Sequence, residues 1–171
     1  MPALHHPYFG TLNSDTLEDI DVIWETTLGE PQTHSQLWAA PEQRLDTAEL
    51  DAFAALLQNL PMLDKRARAA LCDELANDGS FLEYFSAAEA LEYDVEELRW
   101  LKPLLNDIPA FVAALQLTAI GLWTHDTMQE MEEEPATPLV LDYKIAPEHT
   151  DQILAVKCDL QGNIISIDWE S

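Results

Sequence analysis

Read for where its apolar side chains fall, the chain divides into three stretches of different period. Over residues 8–40 the apolar positions repeat every second residue, the spacing that sends alternate side chains to opposite faces of a strand. Tyr8-Phe9-Gly10-Thr11-Leu12 predicts a short strand, and Asn13-Ser14-Asp15 a turn, because those side chains bond to nearby backbone. Ile20, Val22, Trp24 and Thr26 alternate with Asp21, Ile23, Glu25 and Thr27, which predicts a half-buried strand broken at Leu28-Gly29-Glu30-Pro31. Gln32 to Trp38 predicts a third strand, so this stretch reads as an antiparallel meander.

Over residues 46–109 the period lengthens to about 3.6. Asp46 or Thr47 is placed to cap a helix carrying Leu50, Phe53, Ala54, Leu57 and Leu60 on one face, and Pro61 is expected to end it. A second helix uses Leu63, Ala67, Ala70, Leu71 and Leu75, with Asn77-Asp78-Gly79 as its stop. Phe81 to Phe85 leads into a third, and Val95, Leu98, Trp100, Leu101 and Leu104 mark a fourth that Pro103 and Pro109 interrupt.

From about residue 111 the chain returns to strands, with prolongation of the preceding helix through Phe111-Val112-Ala113-Ala114 as the alternative. Leu115, Leu117, Ala119, Gly121 and Trp123 are expected on one face of a strand, with Gln116, Thr118, Ile120 and Leu122 on the other. His125 to Pro138 reads as an acidic loop. Leu139 to Ile145 is rich in β-branched and aromatic residues and predicts a strand. Ile153 to Leu160, the turn Gln161-Gly162-Asn163 and Ile164 to Trp169 predict a hairpin, since Gly and Asn tolerate the positive φ that such turns require. This order of elements predicts an α+β fold: an antiparallel sheet built from N- and C-terminal strands, with a central helical insertion. A chain of 171 residues with 47% hydrophobic content is expected to form a single domain over 1–171, with two subdomains as the alternative.

Charge changes the picture most. The chain carries 32 acids against 8 bases, a formal net charge of −24, which repels phosphates and anionic lipid. Nucleic acid and membrane are therefore excluded as expected partners, and a basic protein is favoured. No apolar run of about 18 residues occurs, and the opening residues lack the pattern of a secretory leader. Cys72 and Cys158 form neither a Cys-x-x-Cys pair nor a disulfide framework; both are expected as buried thiols in a reducing, cytoplasmic setting.

His6-Pro7-Tyr8-Phe9-Gly10 with Leu12, Asp19-Ile20-Asp21-Val22-Ile23-Trp24-Glu25, Leu141-Asp142-Tyr143 and Val156-Lys157-Cys158-Asp159 with Gly162 resemble a bacterial family, domain of unknown function two thousand and four. The likeness covers both ends, about half of the chain. It implies a bacterial cytoplasmic protein and carries no established activity or catalytic residues. In broad character the chain is also similar to the immunity proteins of bacterial toxin systems, an analogy of class and not of motif.

Catalytic chemistry leaves little trace. His5, His6, His34, His125 and His149 have no companions at metal-ligand spacing; His125, Asp126 and His34 are the best available set for a metal- or small-ligand-binding enzyme. No Gly-x-Ser-x-Gly elbow and no Gly-rich phosphate loop is present, no motif implies a cofactor, and carboxylate pairs are too abundant to mean anything. A different feature stands out. Residues 83–97 hold Glu83, Glu89, Glu92, Asp94, Glu96 and Glu97 with no base among them, an expected acidic surface for a basic partner such as a toxin domain. Of the tryptophans Trp24, Trp38, Trp100, Trp123 and Trp169, most are expected in the core, and Trp38 and Trp100 are the expected exposed anchors.

Overall fold

A computed structural model of the chain describes residues 3–28, 33–86, 99–132, 136–148 and 150–170. Two short strands, β1 (Leu4–His6) and β2 (Gly10–Leu12), pair antiparallel as a small sheet of their own. Six more form the main sheet: β3 (Asp21–Leu28), β4 (Thr33–Ala39), β5 (Gln116–Trp123), β6 (Leu139–Lys144), β7 (Ile153–Cys158) and β8 (Ile164–Glu170). They lie side by side in chain order, and every neighbouring pair is antiparallel except β4 and β5, which run parallel.

That single parallel pair explains the helical insertion. Parallel neighbours cannot be joined by a tight turn, so the chain must leave the sheet and return. Between β4 and β5 it makes α1 (Thr47–Gln58), α2 (Leu60–Asn77), α3 (Ser80–Ser86), α4 (Leu101–Leu104) and α5 (Ile108–Ala114). A sixth helix, α6 (His125–Glu130), follows β5. The architecture is α+β, with N- and C-terminal strands around central helices, as the periodicity predicts.

Local chemistry sets the helix ends. The Asp46 carboxylate accepts a hydrogen bond from the Ala48 N–H at 2.9 Å and starts α1. Pro61 does not end that helix but sits in the first turn of α2, where its missing N–H would have no intrahelical partner anyway. α2 then buries Leu63, Ala67, Leu71 and Leu75 as one stripe. Pro109 likewise opens α5, which Asp107 caps by accepting from the Ala110 N–H. Of the fourth predicted helix, Val95 and Leu98 lie outside the described residues, and α4 begins at Leu101 and contains Pro103.

The predicted strand at Tyr8–Leu12 is instead a hairpin, with Tyr8 and Phe9 in its turn and Gly10 at φ +76°. His6 holds it. Its Nδ1 accepts the backbone N–H groups of Tyr8 and Phe9, so Nε2 carries the proton and donates to Asp51 of α1 at 2.8 Å. Phe9 meets Trp24 edge to face at 4.8 Å between ring centres, which fixes the small sheet to β3. The C-terminal hairpin forms as predicted, with Gly162 at φ +80°. Cys158 is buried in β7 and burial pushes its thiol up to about 12, whereas Cys72 on α2 is only half-buried.

Helices α1 to α5 cover one face of the sheet. Leu37, Ile120, Leu122, Leu139, Leu141, Leu154 and Val156 from the strands join Leu50, Phe53, Leu71, Phe85 and Phe111 in one continuous core. Tyr143 of β6 is fully buried there, and its hydroxyl donates to Asp64 of α2 at 2.6 Å. Asp64 also accepts from the Arg68 guanidinium, which donates in turn to the Val112 and Leu115 carbonyls at the end of α5. Burial and then the Asp64 carboxylate hold the Tyr143 hydroxyl far above its ordinary pKa, so it serves as a permanent donor. Two helices and the sheet are thereby tied at one part-buried point.

Candidate functional site

The other face of the main sheet carries no long helix among the described residues, and its side chains follow from strand register. β5 decides the phase. A bulge between Leu117 and Ala119 inserts Thr118 as an extra residue, so Leu117, Ile120 and Leu122 point into the core while Ala119, Gly121 and Trp123 point out. Strict alternation, which places Leu117 on the face of Ala119 and Ile120 opposite, is wrong for this reason.

Three rows of side chains then cross the open face. Trp38 pairs with Trp123 in the first; Gln36, Gly121, Val140, Lys157 and Ser166 make the second; His34, Ala119, Asp142, Ala155 and Asp168 make the third. The two indoles stack face to face, 4.8 Å between ring centres and 10° from parallel. Trp123 lies back over Gly121, where an added Cβ would come within 2.9 Å of its Nε1. Together with Met128 and Met131 they wall a cleft of about 350 Å³ floored by Ala119 and Gly121 and closed at its far end by Asp142, Lys157 and Glu170.

α6 and the Met131 that caps its C-terminus supply the thioethers, and distant residues hold the helix in place. His125 to Glu130 is not loop but helix: the Glu49 carboxylate of α1 accepts the His125 N–H at 3.0 Å. Gln43 Oε1 receives the Thr124 and Thr127 hydroxyls at 2.9 and 3.0 Å while also accepting the Ala40 N–H. Burial raises the Glu49 pKa against the pull of that His125 N–H.

The polar end is electrostatically uneven. Lys157 lies 2.8 Å from the Asp168 carboxylate and 3.9 Å from that of Glu170. Asp142, half-buried between Ala119 and Ala155, is pushed up to about 6, chiefly by desolvation and secondarily by Glu170, with Lys144 and Lys157 pulling the other way.

The expected site residues scatter. Glu83 is exposed on α3 and Trp100 is exposed just ahead of α4, while Trp38 is half-buried on the open face. Glu89, Glu92, Asp94, Glu96 and Glu97 lie outside the described residues. Trp169, expected in the core, is 43% exposed, its ring edge against Phe81 and its Nε1 donating to Gln152. His34, Asp126 and His125 do not converge: His34 contacts Glu25 at 3.5 Å and lies four residues along β4 from Trp38, about 13 Å by strand rise. Among the described residues no three His, Cys, Asp or Glu side chains are grouped to hold a metal ion. No described helix is long and apolar enough to cross a membrane. Gly121, Met128 and Asp142 were not singled out as site residues by sequence reasoning, and Trp123 was expected in the core; the alternation of small residues with Trp along β5 is a signal for Gly121 and Trp123, whereas Met128 and Asp142 carry none.

Compared with family models, with curated proteins and with solved structures, the chain matches none of them.

Proposed function

We propose that this protein is a binding domain without bond-breaking chemistry of its own, which recognises and neutralises a basic partner protein in the manner of a toxin-immunity protein. The observation that carries the reading is the net charge of −24 on 171 residues. Such a field draws a basic surface in over roughly a Debye length, about 8 Å at physiological salt, and repels nucleic acid. The Trp38–Trp123 stack supports it as well, because half-buried aromatics on an open face suit an interface anchor. Glu83, Trp100 and the acids at 89–97 belong to the same proposed surface property, on the other side of the sheet or outside the described residues. The likeness of both chain ends to the bacterial family named above supports a bacterial, cytoplasmic setting.

The test is affinity capture from the source cells followed by association kinetics with the captured protein. A basic partner whose on-rate falls steeply between low and physiological salt is the expected result. A salt-insensitive on-rate, or capture of acidic proteins only, removes the proposal.

A second reading rests on the cleft itself, whose volume of about 350 Å³ falls in the range of small-ligand sites. In that reading Asp142, with its carboxyl near 6, is the acid or base of a small-ligand enzyme.

A further inference from the structure

One carboxylate in the cleft has no hydrogen-bond donor among the described residues. The side-chain bond that reaches Asp142 goes from the Thr118 hydroxyl to its backbone carbonyl, 3.2 Å away. Ala119 and Ala155 stand on either side of it in register, so the side chain sits in a depression lined by methyl groups. Nearby cations are committed or displaced: Lys157 is paired with Asp168 and approaches Glu170, and Lys144 stands two residues further along β6. The carboxylate therefore faces the cleft partly desolvated and without a hydrogen-bond donor among the described residues, with Lys144 and Lys157 acting on it only through space.

Diagonally across from it lies the aromatic shelf. Gly121 is the cross-strand partner of Val140, two residues from Asp142, and diagonal neighbours of this kind are about 7–8 Å apart. The Trp123 indole covers Gly121 and is backed by Trp38, so an aromatic surface and a carboxylate bracket a space that one long side chain spans. Met128 and Met131 close the side with polarizable, adaptable groups.

Building on the basic-partner reading, we infer that this cleft seats an arginine side chain of that partner, its guanidinium paired with Asp142 and its plane or stem laid against the Trp38–Trp123 shelf. Arginine suits the site better than lysine for two reasons. Its planar fork offers two parallel N–H donors to one carboxylate, and it stacks on indole with little dehydration cost. Lysine is a compact, strongly hydrated charge that satisfies neither part. The volume accommodates one side chain and not a folded segment. Asp142 then supplies the local recognition that the diffuse negative field lacks.

The probe is a blocked hexa-arginine peptide, titrated into the full chain at low ionic strength and followed by calorimetry and tryptophan fluorescence. Wild-type protein is expected to bind with a change in indole emission. Asp142→Asn, which keeps the shape and loses no hydrogen bond, is expected to weaken binding at least tenfold. Asp73→Asn, at an exposed position of α2 on the helix-covered side of the sheet, is expected to change it less than twofold. Hexa-lysine is expected to bind at least fivefold more weakly than hexa-arginine. Equal affinity for Asp142→Asn and wild type overturns the cleft assignment while leaving the basic-partner reading intact. Equal affinity for the two peptides overturns the choice of arginine, and no binding by the wild-type chain overturns both the cleft and the reading beneath it.

Discussion

The two faces of one six-stranded sheet have been put to opposite uses. On the helix-covered face, strand positions are chiefly Leu, Ile, Val and Tyr at near-zero exposure; the Tyr143 hydroxyl there is bonded to Asp64, while the buried Ser35 hydroxyl of β4 has no partner among the described residues. On the open face the same strands carry Gly, Ala, Trp, Lys and Asp, with an aromatic stack left half-buried and a carboxylate left without a donor. Burial of apolar area stabilises the first face, whereas the second retains groups whose exposure and desolvation cost stability. This asymmetry is the ground on which the open face is proposed as the binding face.

The contrast can be tested from its strong side to its weak side. Phe53→Ala, at a fully buried position of α1, is expected to cost about 3–5 kcal/mol in denaturant unfolding through lost transfer energy and an unfilled cavity. A loss under about 1 kcal/mol would show that the helical layer is not the main source of stability.

Asp142→Asn should move stability the other way, and only above acidic pH. The carboxyl ordinarily titrates near 3.8 and is raised to about 6 in the fold. Between those values the native state holds a proton that the unfolded state lacks, so this group's contribution to stability falls as pH rises through that window. The variant is therefore expected to melt above the wild type at pH 7 and level with it at pH 4, as followed by circular dichroism. The same difference at both pH values would show that desolvation of the carboxylate is not the cause.

The smallest effect belongs to Gly121→Ala. The backbone there is compatible with alanine, but the new Cβ would crowd Trp123 Nε1 at 2.9 Å and force the indole off its stack with Trp38. Near-ultraviolet dichroism and indole emission should change, with a stability loss of about 1 kcal/mol or less. Unchanged aromatic spectra would mean that the stack does not depend on a bare Gly121.

Legibility in the sequence followed how far apart the deciding residues are. The α2 stripe of Leu63, Ala67, Leu71 and Leu75 repeats at helical spacing within one segment, and the β7–β8 turn is set within five residues by Gly162 at positive φ and by Asp159, whose carboxylate accepts the Gln161 and Asn163 N–H groups. Both could be read directly. Pro61 misled because proline is incompatible with a helix interior yet suited to a first turn, and the two cases share one local signal. α6 was hidden more deeply. It has six residues and no side-chain cap of its own, and its start is held by Gln43 and Glu49, which lie about eighty residues earlier. Of the candidate site, Trp38 was expected as an exposed aromatic and lies half-buried on the open face, but Asp142 looked like any of 32 acids until β5 and β7 placed alanines on both sides of it.

By itself the amino-acid sequence determined the acidity, the succession of strands, helices and strands, and the apolar stripes of α1 and α2, because period and charge are properties of neighbouring residues. Tertiary structure alone decided that β4 and β5 lie parallel, that a bulge at Thr118 turns Trp123 and Gly121 outward, and that Asp142 shares a cleft with two stacked indoles. Those outcomes depend on pairing between segments tens of residues apart. In such pairing a shift of one position exchanges the faces of a strand, and only the energy of the assembled core selects among the registers.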